Sequence, residues 1–226
     1  MHRQNGFTLI EIAIVLVIIG LLLGGVLKGQ ELITSARVRN LISQQDGIKA
    51  AFFGFQDRYR AYPGDYDKAT TNVPGATKNG NGNSRIEADN GTDKEAILVW
   101  EHLSKSGFIN GAYTYATTMT ADSNAKNPYA AYLQLAYDGI YGTGTAGAPL
   151  TAKHNLKTGT QVPVEIIAEV DRKVDDGYPY QGAFQFSVFD SGATAPTVAG
   201  CINTTPTPAA WKVDSGDPNC GGASLF

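Results

Sequence analysis

Asn79, Asn81 and Asn83 place three side-chain amide oxygens at alternate positions of a Gly-rich stretch, the spacing at which calcium loops present their ligands. The continuation Ser84-Arg85-Ile86 is reminiscent of an EF-hand loop. Neutral Asn stands in place of Asp throughout, however, and Asn90 occupies the position of the bidentate Glu. Calcium here would be weakly held, and a polar turn explains the stretch equally well; no other cofactor is indicated. Asp175-Asp176 offers two carboxylates for a metal or for general acid–base chemistry, but the following Gly177 fits a helix end and turn better. His2, His102 and His154 show no metal-ligand spacing, and no nucleophile elbow, P-loop or dinucleotide fingerprint is present. The protein is therefore not expected to be an enzyme. Asn90-Gly91-Thr92 and Asn203-Thr204-Thr205 match the glycosylation pattern, which is frequent by chance and carries no argument.

Two further features are more informative. Cys201 and Cys220 are the only cysteines, an even count that favours a disulfide if the segment lies in an oxidising compartment. Two free thiols in a cytosolic protein are the alternative. Glu11 is the single charge in the 21 residues from Phe7 to Leu27, which are otherwise almost wholly apolar. A carboxylate inside such a segment costs up to a few kcal/mol in a membrane and is a functional candidate by default.

The apolar run must be a helix to carry that charge through lipid, and at ~1.5 Å per residue its length matches the ~30 Å of a bilayer core. A removed secretory signal normally has a shorter apolar stretch and a small-residue cleavage site, which is missing here. A core helix apolar on every side needs a large protein around it. A membrane anchor fits best.

Gly6-Phe7-Thr8-Leu9-Ile10-Glu11, preceded by a short polar leader with Arg3 and followed by the apolar run, resembles the signal of type IV prepilins, shared by the pseudopilins of type II secretion systems. The resemblance is strong over about residues 1–30. It implies cleavage between Gly6 and Phe7 by a prepilin peptidase, N-methylation of Phe7, and pairing of Glu11 with the N-terminal amine of a neighbouring subunit during assembly. It further implies identical or homologous pilin subunits, the inner-membrane assembly platform and the membrane as partners. The localisation it implies is the bacterial inner membrane, with a periplasmic domain, before incorporation into a filament. Opposite charges ~4 Å apart attract by about 4 kcal/mol at an effective dielectric near 20, comparable to the insertion penalty. Many members carry a proline where this sequence reads Lys28; Gly20, Gly24, Gly25 and Gly29 instead loosen the helix or let neighbours approach closely.

Downstream, Leu41, Ile48, Phe52, Phe55, Tyr59 and Tyr62 form one apolar stripe, so the helix is expected to continue until Pro63-Gly64. Residues 63–94 read as a polar loop, Thr92-x-x-Glu95 as a capping box opening a helix stopped by Gly107, and Pro163 as the start of another helix ended by Gly177. Residues 129–137 and 182–189 are strand candidates. The expected fold is α+β: a long N-terminal helix packed on a small antiparallel sheet, with extended loops consistent with 26 Gly and 10 Pro. The expected organisation is a leader (1–6), a transmembrane helix (7–27), an amphipathic continuation (28–62) and a globular domain (63–226). Tyr62-Pro63-Gly64-Asp65, Trp100-Glu101-His102-Leu103 and Asp175-Asp176-Gly177-Tyr178-Pro179 are similar to segments of some pilin-like proteins. A net charge of −3 gives no basic footprint for nucleic acid. The sequence thus reads as a structural filament subunit; a minor, tip-located pilin acting as adhesin or ligand-binding module is the alternative.

Overall fold

The computed structural model describes residues 9–89, 91–144 and 148–226. The leader, the Gly6–Phe7 bond and Asn90 lie outside them. The protein divides into two compact units, Met1–Arg37 and Val38–Phe226.

Helix α1 runs without interruption from Leu9 to Tyr59. The glycines at 20, 24, 25 and 29 do not break it. It ends where Arg60 takes a left-handed conformation (φ 55°), donating its N–H to the Gln56 carbonyl, just before Pro63 forbids continuation.

In the second unit, α1 buries Val38, Leu41, Gln45, Ile48, Ala51, Phe52 and Phe55, the face drawn by the 3–4 spacing of its apolar residues. Helices α2 (Ala69–Asn72), α3 (Glu95–Lys105) and α4 (Val164–Val174) follow, and α5 (Val198–Cys201) is a single turn. Strands β1 (Gln134–Asp138), β2 (Lys153–Lys157), β3 (Phe184–Phe186) and β6 (Gly222–Leu225) make an antiparallel sheet in the order β1-β2-β6-β3. Leu135 faces Leu156, Asn155 faces Leu225, and Gln185 faces Ala223 across its ladders. A short hairpin pairs β4 (Ile202–Asn203) with β5 (Ala210–Trp211). The α+β architecture with a small antiparallel sheet is the one the sequence implies.

Two large buried clusters fill most of the unit, beside a small one of Tyr141, Ala223 and Leu225. One joins Phe52 and Phe55 to Val99, Trp100 and Leu103 of α3 and to Leu133, Leu135 and Leu156. The other joins Val38 and Leu41 to Ile166, Ile167 and Val170 of α4, Phe184, Phe186, Trp211 and both cysteines. Fully burying each such side chain contributes roughly 1.5–3 kcal/mol.

Several boundaries differ from the sequence reading. The 129–137 candidate yields a strand only from Gln134. Before it, Asn127 pins a turn: its Oδ1 accepts the N–H of Tyr129 (2.8 Å) and of Ala131 (3.0 Å), and Ala130 has φ 66°. Helix α3 begins at Glu95 itself, with Lys94 as N-cap and no cap bond from the Lys94 side chain. Glu95 is drawn instead into the preceding loop, where its carboxylate accepts the N–H groups of Asn81 and Glu87, each at 3.0 Å. Helix α4 ends at Val174, ahead of Gly177, and Val174 is 40% exposed there.

Candidate functional site

From Leu9 to Leu27, within the first unit, α1 is apolar on all sides apart from Glu11. From Leu9 to Ile33, sixteen large apolar side chains are exposed, Leu9 at 89% and Leu21 at 73% among them. The helix is long and apolar enough to cross a membrane. Covering sixteen such side chains with lipid or protein is worth on the order of 20 kcal/mol. Glu11 lies in the first turn, where the helix dipole favours a negative charge. The next charged residues, Lys28 and Glu31, form an ion pair at 2.7 Å. A Cβ added at Gly20, Gly24, Gly25 or Gly29 would meet nothing within 4 Å.

The buried acids of the second unit hold loops, and Asp65 also lines a cavity with Gln56, Arg60, Tyr62 and Ser84. Asp65 accepts the N–H of Asn83 (2.9 Å) on Oδ1 and of Ser84 (2.8 Å) on Oδ2. Burial, reinforced by the nearby Glu95 charge, pushes its pKa up to about 6. Glu101 accepts the N–H of Thr77 (2.5 Å) and of Tyr115 (2.6 Å). His102 accepts the Gly64 N–H on Nδ1 (2.9 Å) and lies 3.0 Å from the Lys78 carbonyl through Nε2, which fixes the Nε2–H neutral tautomer; burial lowers its pKa. Gly64 has φ 88°, and a Cβ there would come within 2.6 Å of the Glu95 carbonyl oxygen. Only glycine fits this crossing.

The three candidate calcium ligands sit in the loop these acids hold. Asn79 Oδ1 accepts the N–H (2.8 Å) and hydroxyl (3.1 Å) of Thr70. Asn81 Oδ1 accepts the Asn83 N–H, and Asn83 Oδ1 the Arg85 N–H, both at 2.9 Å. The Nδ2 groups of Asn81 and Asn83 both donate to Glu87 Oε2 at 2.9 Å. Each amide oxygen thus accepts protein donors, the arrangement of a hydrogen-bonded polar turn.

Asp171, Asp175 and Asp176 bring three carboxylate oxygens within 4.8 Å of one another. They too are engaged. Asp171 accepts the Trp211 indole N–H at 2.6 Å and the Gly177 N–H at 3.3 Å. Asp175 accepts the N–H groups of Ala183 and Phe184, and Asp176 that of Tyr178. Lys49 of α1 offers a counter-charge to Asp175. Burial raises the Asp171 pKa to about 6. The sequence reading of Asp175-Asp176 as a helix end and turn agrees with these bonds.

Other polar groups, missed from sequence, complete the interior. Lys157, 2% exposed, pairs with Asp138 at 2.5 Å and donates to Gln134 Oε1 at 2.8 Å. His154 lies among the rings of Phe52, Tyr62 and Tyr137, and burial lowers its pKa to about 4. Alternation within Gln-Leu-Ala-Tyr-Asp and Lys-His-Asn-Leu-Lys is the only sequence signal for the ion pair, and it is faint. Cys201 and Cys220 form a disulfide, both cysteines lying in the second core cluster.

Residues 1–27 match the family model of the prokaryotic N-terminal methylation motif. Comparison with curated proteins and with solved structures finds no match. The matched segment includes Gly6, Phe7 and Glu11 and runs on into the exposed apolar part of α1. Residues 1–27 therefore carry a type IV pilin-like prepilin signal, which supports reading the protein as a pilin- or pseudopilin-like precursor.

Proposed function

We propose that this protein is a structural subunit of a type IV pilus or of a type II secretion pseudopilus, assembled through its N-terminal helix. The observation that carries the reading is the methylation motif leading directly into a helix whose apolar side chains are exposed all round. Such a surface is stable only in lipid or among like helices. In this reading a prepilin peptidase cleaves between Gly6 and Phe7, Phe7 is N-methylated, and the helix first anchors the protein in the inner membrane. Assembly transfers it from lipid to neighbouring copies, and Glu11 pairs with the Phe7 amine of an adjacent subunit. The residues that follow α1 form the filament's surface. The engagement of the buried acids in loop hydrogen bonds supports a structural role over a catalytic one.

The test is filament yield. Sheared surface filaments, or filaments from cells overproducing the secretion apparatus, should contain this protein as a main band. The Glu11→Ala variant should be processed normally yet appear in filaments at a small fraction of the wild-type amount. Normal yield from that variant would rule out the pairing mechanism.

A further inference from the structure

Asn-Gly occurs five times in the sequence, at 5–6, 79–80, 81–82, 90–91 and 110–111. The dipeptide is intrinsically reactive because a glycine nitrogen has no side chain to hinder its attack on the preceding amide carbon. Whether it reacts in a folded protein depends on whether the nitrogen and the amide are free to meet.

Three of the five pairs lie wholly within the described residues, and they differ sharply. The Gly80 N–H donates to the Tyr66 carbonyl and the Gly82 N–H to the Asp65 carbonyl, both at 2.9 Å. The side chains of Asn79 and Asn81 are held by Thr70, Asn83 and Glu87, as described above. Both partners of the reaction are therefore tied at 79–80 and 81–82. At 110–111 neither is. Asn110 and Gly111 are exposed, and among the described residues their backbone and side-chain groups find no hydrogen-bond partner. The nearest bonded backbone N–H groups on either side belong to Ile109, which donates to Leu103, and Thr114, which donates to Asp122.

We propose that Asn110-Gly111 is a site of spontaneous covalent modification, converting to an isoaspartyl or aspartyl linkage in the folded protein while the equally Gly-rich 79–83 loop is protected. The Gly111 nitrogen, losing its proton to solvent base, attacks Asn110 Cγ. A new bond between them closes a five-membered succinimide, the bond from Cγ to Nδ2 breaks, and Nδ2 leaves as ammonia, taking up a proton from solvent. Water then adds to one of the two ring carbonyls and reopens the ring. The co-reactant is water alone, no electrons change hands, and the product carries a carboxylate where an amide stood. The formal charge of −3 becomes one unit more negative. A long-lived assembly of such subunits would acquire negative charge at this loop with age.

Peptide mapping tests the inference on the full-length protein in detergent, incubated for several days at mildly alkaline pH. Trypsin releases the two regions separately, as Asn79–Arg85 and Ser106–Lys126. Fragmentation should locate a gain of one mass unit at Asn110, arising about tenfold or more faster than at Asn79 or Asn81, whose reaction requires local opening. In concentrated urea the rates at the three sites should converge. An Asn110→Gln variant, which would need a less favourable six-membered ring, should remain unchanged at that position. Equal or slower conversion at Asn110 in the folded protein would overturn the proposal. So would a preference for Asn110 that persists undiminished in urea, because the difference would then come from neighbouring sequence and not from the fold.

Discussion

Reducing the Cys201–Cys220 bridge should weaken the second unit by an amount set by the loop it closes. The cysteines are 19 residues apart, which in the chain-entropy model corresponds to about 3 kcal/mol. Both are fully buried beside Val162, Phe186 and Trp211, so reduction without atom loss isolates this contribution, whereas replacing both by alanine adds a packing loss of roughly 1 kcal/mol. For a unit of this size, 3 kcal/mol corresponds to a fall in Tm of about 6–12 °C. The assay is urea unfolding of the full-length protein in detergent, followed by tryptophan fluorescence, since Trp100 and Trp211 report the two core clusters separately. The midpoint should fall on reduction and the m-value should rise, because the unfolded protein without its bridge exposes more surface. The Trp211 signal should shift at least as much as that of Trp100. An unchanged midpoint, with reduction verified by thiol counting, would refute the loop-closure argument.

Gly64→Ala should destabilise the fold by about 2–3 kcal/mol, read by the same unfolding curves, because the new methyl meets the Glu95 carbonyl and the left-handed backbone disfavours it. Lys157→Met should cost about 3 kcal/mol or more, because it leaves the mostly buried Asp138 without its partner; pairing it with Asp138→Leu should recover much of the loss. The pH dependence combines opposing groups. The raised pKa values of Asp65 and Asp171, about 6 against 3.8, contribute stability that is full below pH 3.8 and lost as pH rises through 6. The lowered pKa of His154, about 4 against 6.5, contributes stability present above pH 6.5 and lost as pH falls through 4. Between about pH 6.5 and about pH 4.5 they offset one another in the wild type. In His154→Phe the acids act without that opposition, and stability should rise on acidification across this window by about 1–2 kcal/mol more than in the wild type, allowing for solvent screening. An identical pH profile in the two proteins would count against the ring-enclosed imidazole.

The long helix is legible in the sequence because its signals are local and redundant: an uninterrupted apolar run, then a 3–4 stripe from Leu41 to Tyr59, then Pro63. Helix α4 is legible for the same reason, with Pro163 and Gly177 marking its ends. Strands β2 and β6 are not. Lys-His-Asn-Leu-Lys reads as polar, yet His154 and Leu156 face one core while Asn155 and Lys157 are covered on the opposite face, where Asp138 and Gln134 satisfy the lysine. Gly-Ala-Ser-Leu has no strand signature, and its place between β2 and β3 comes from partners about 70 and 40 residues away. Glu95 shows the same limit at the level of one residue. Its position fits a capping box, but the Asn-Gly loop packed above it supplies N–H donors that only tertiary contact brings near. The motif around Gly6, Phe7 and Glu11 is readable because a short N-terminal signal is carried by linear sequence, before any fold exists.

The most direct test of the account is the N-terminus of the protein in cells that make filaments. Intact-mass and N-terminal peptide analysis of membrane and filament fractions should find the protein beginning at Phe7 with a methylated amine, the amine that Glu11 is to neutralise. A polypeptide that still begins at Met1 in functional filaments would contradict it.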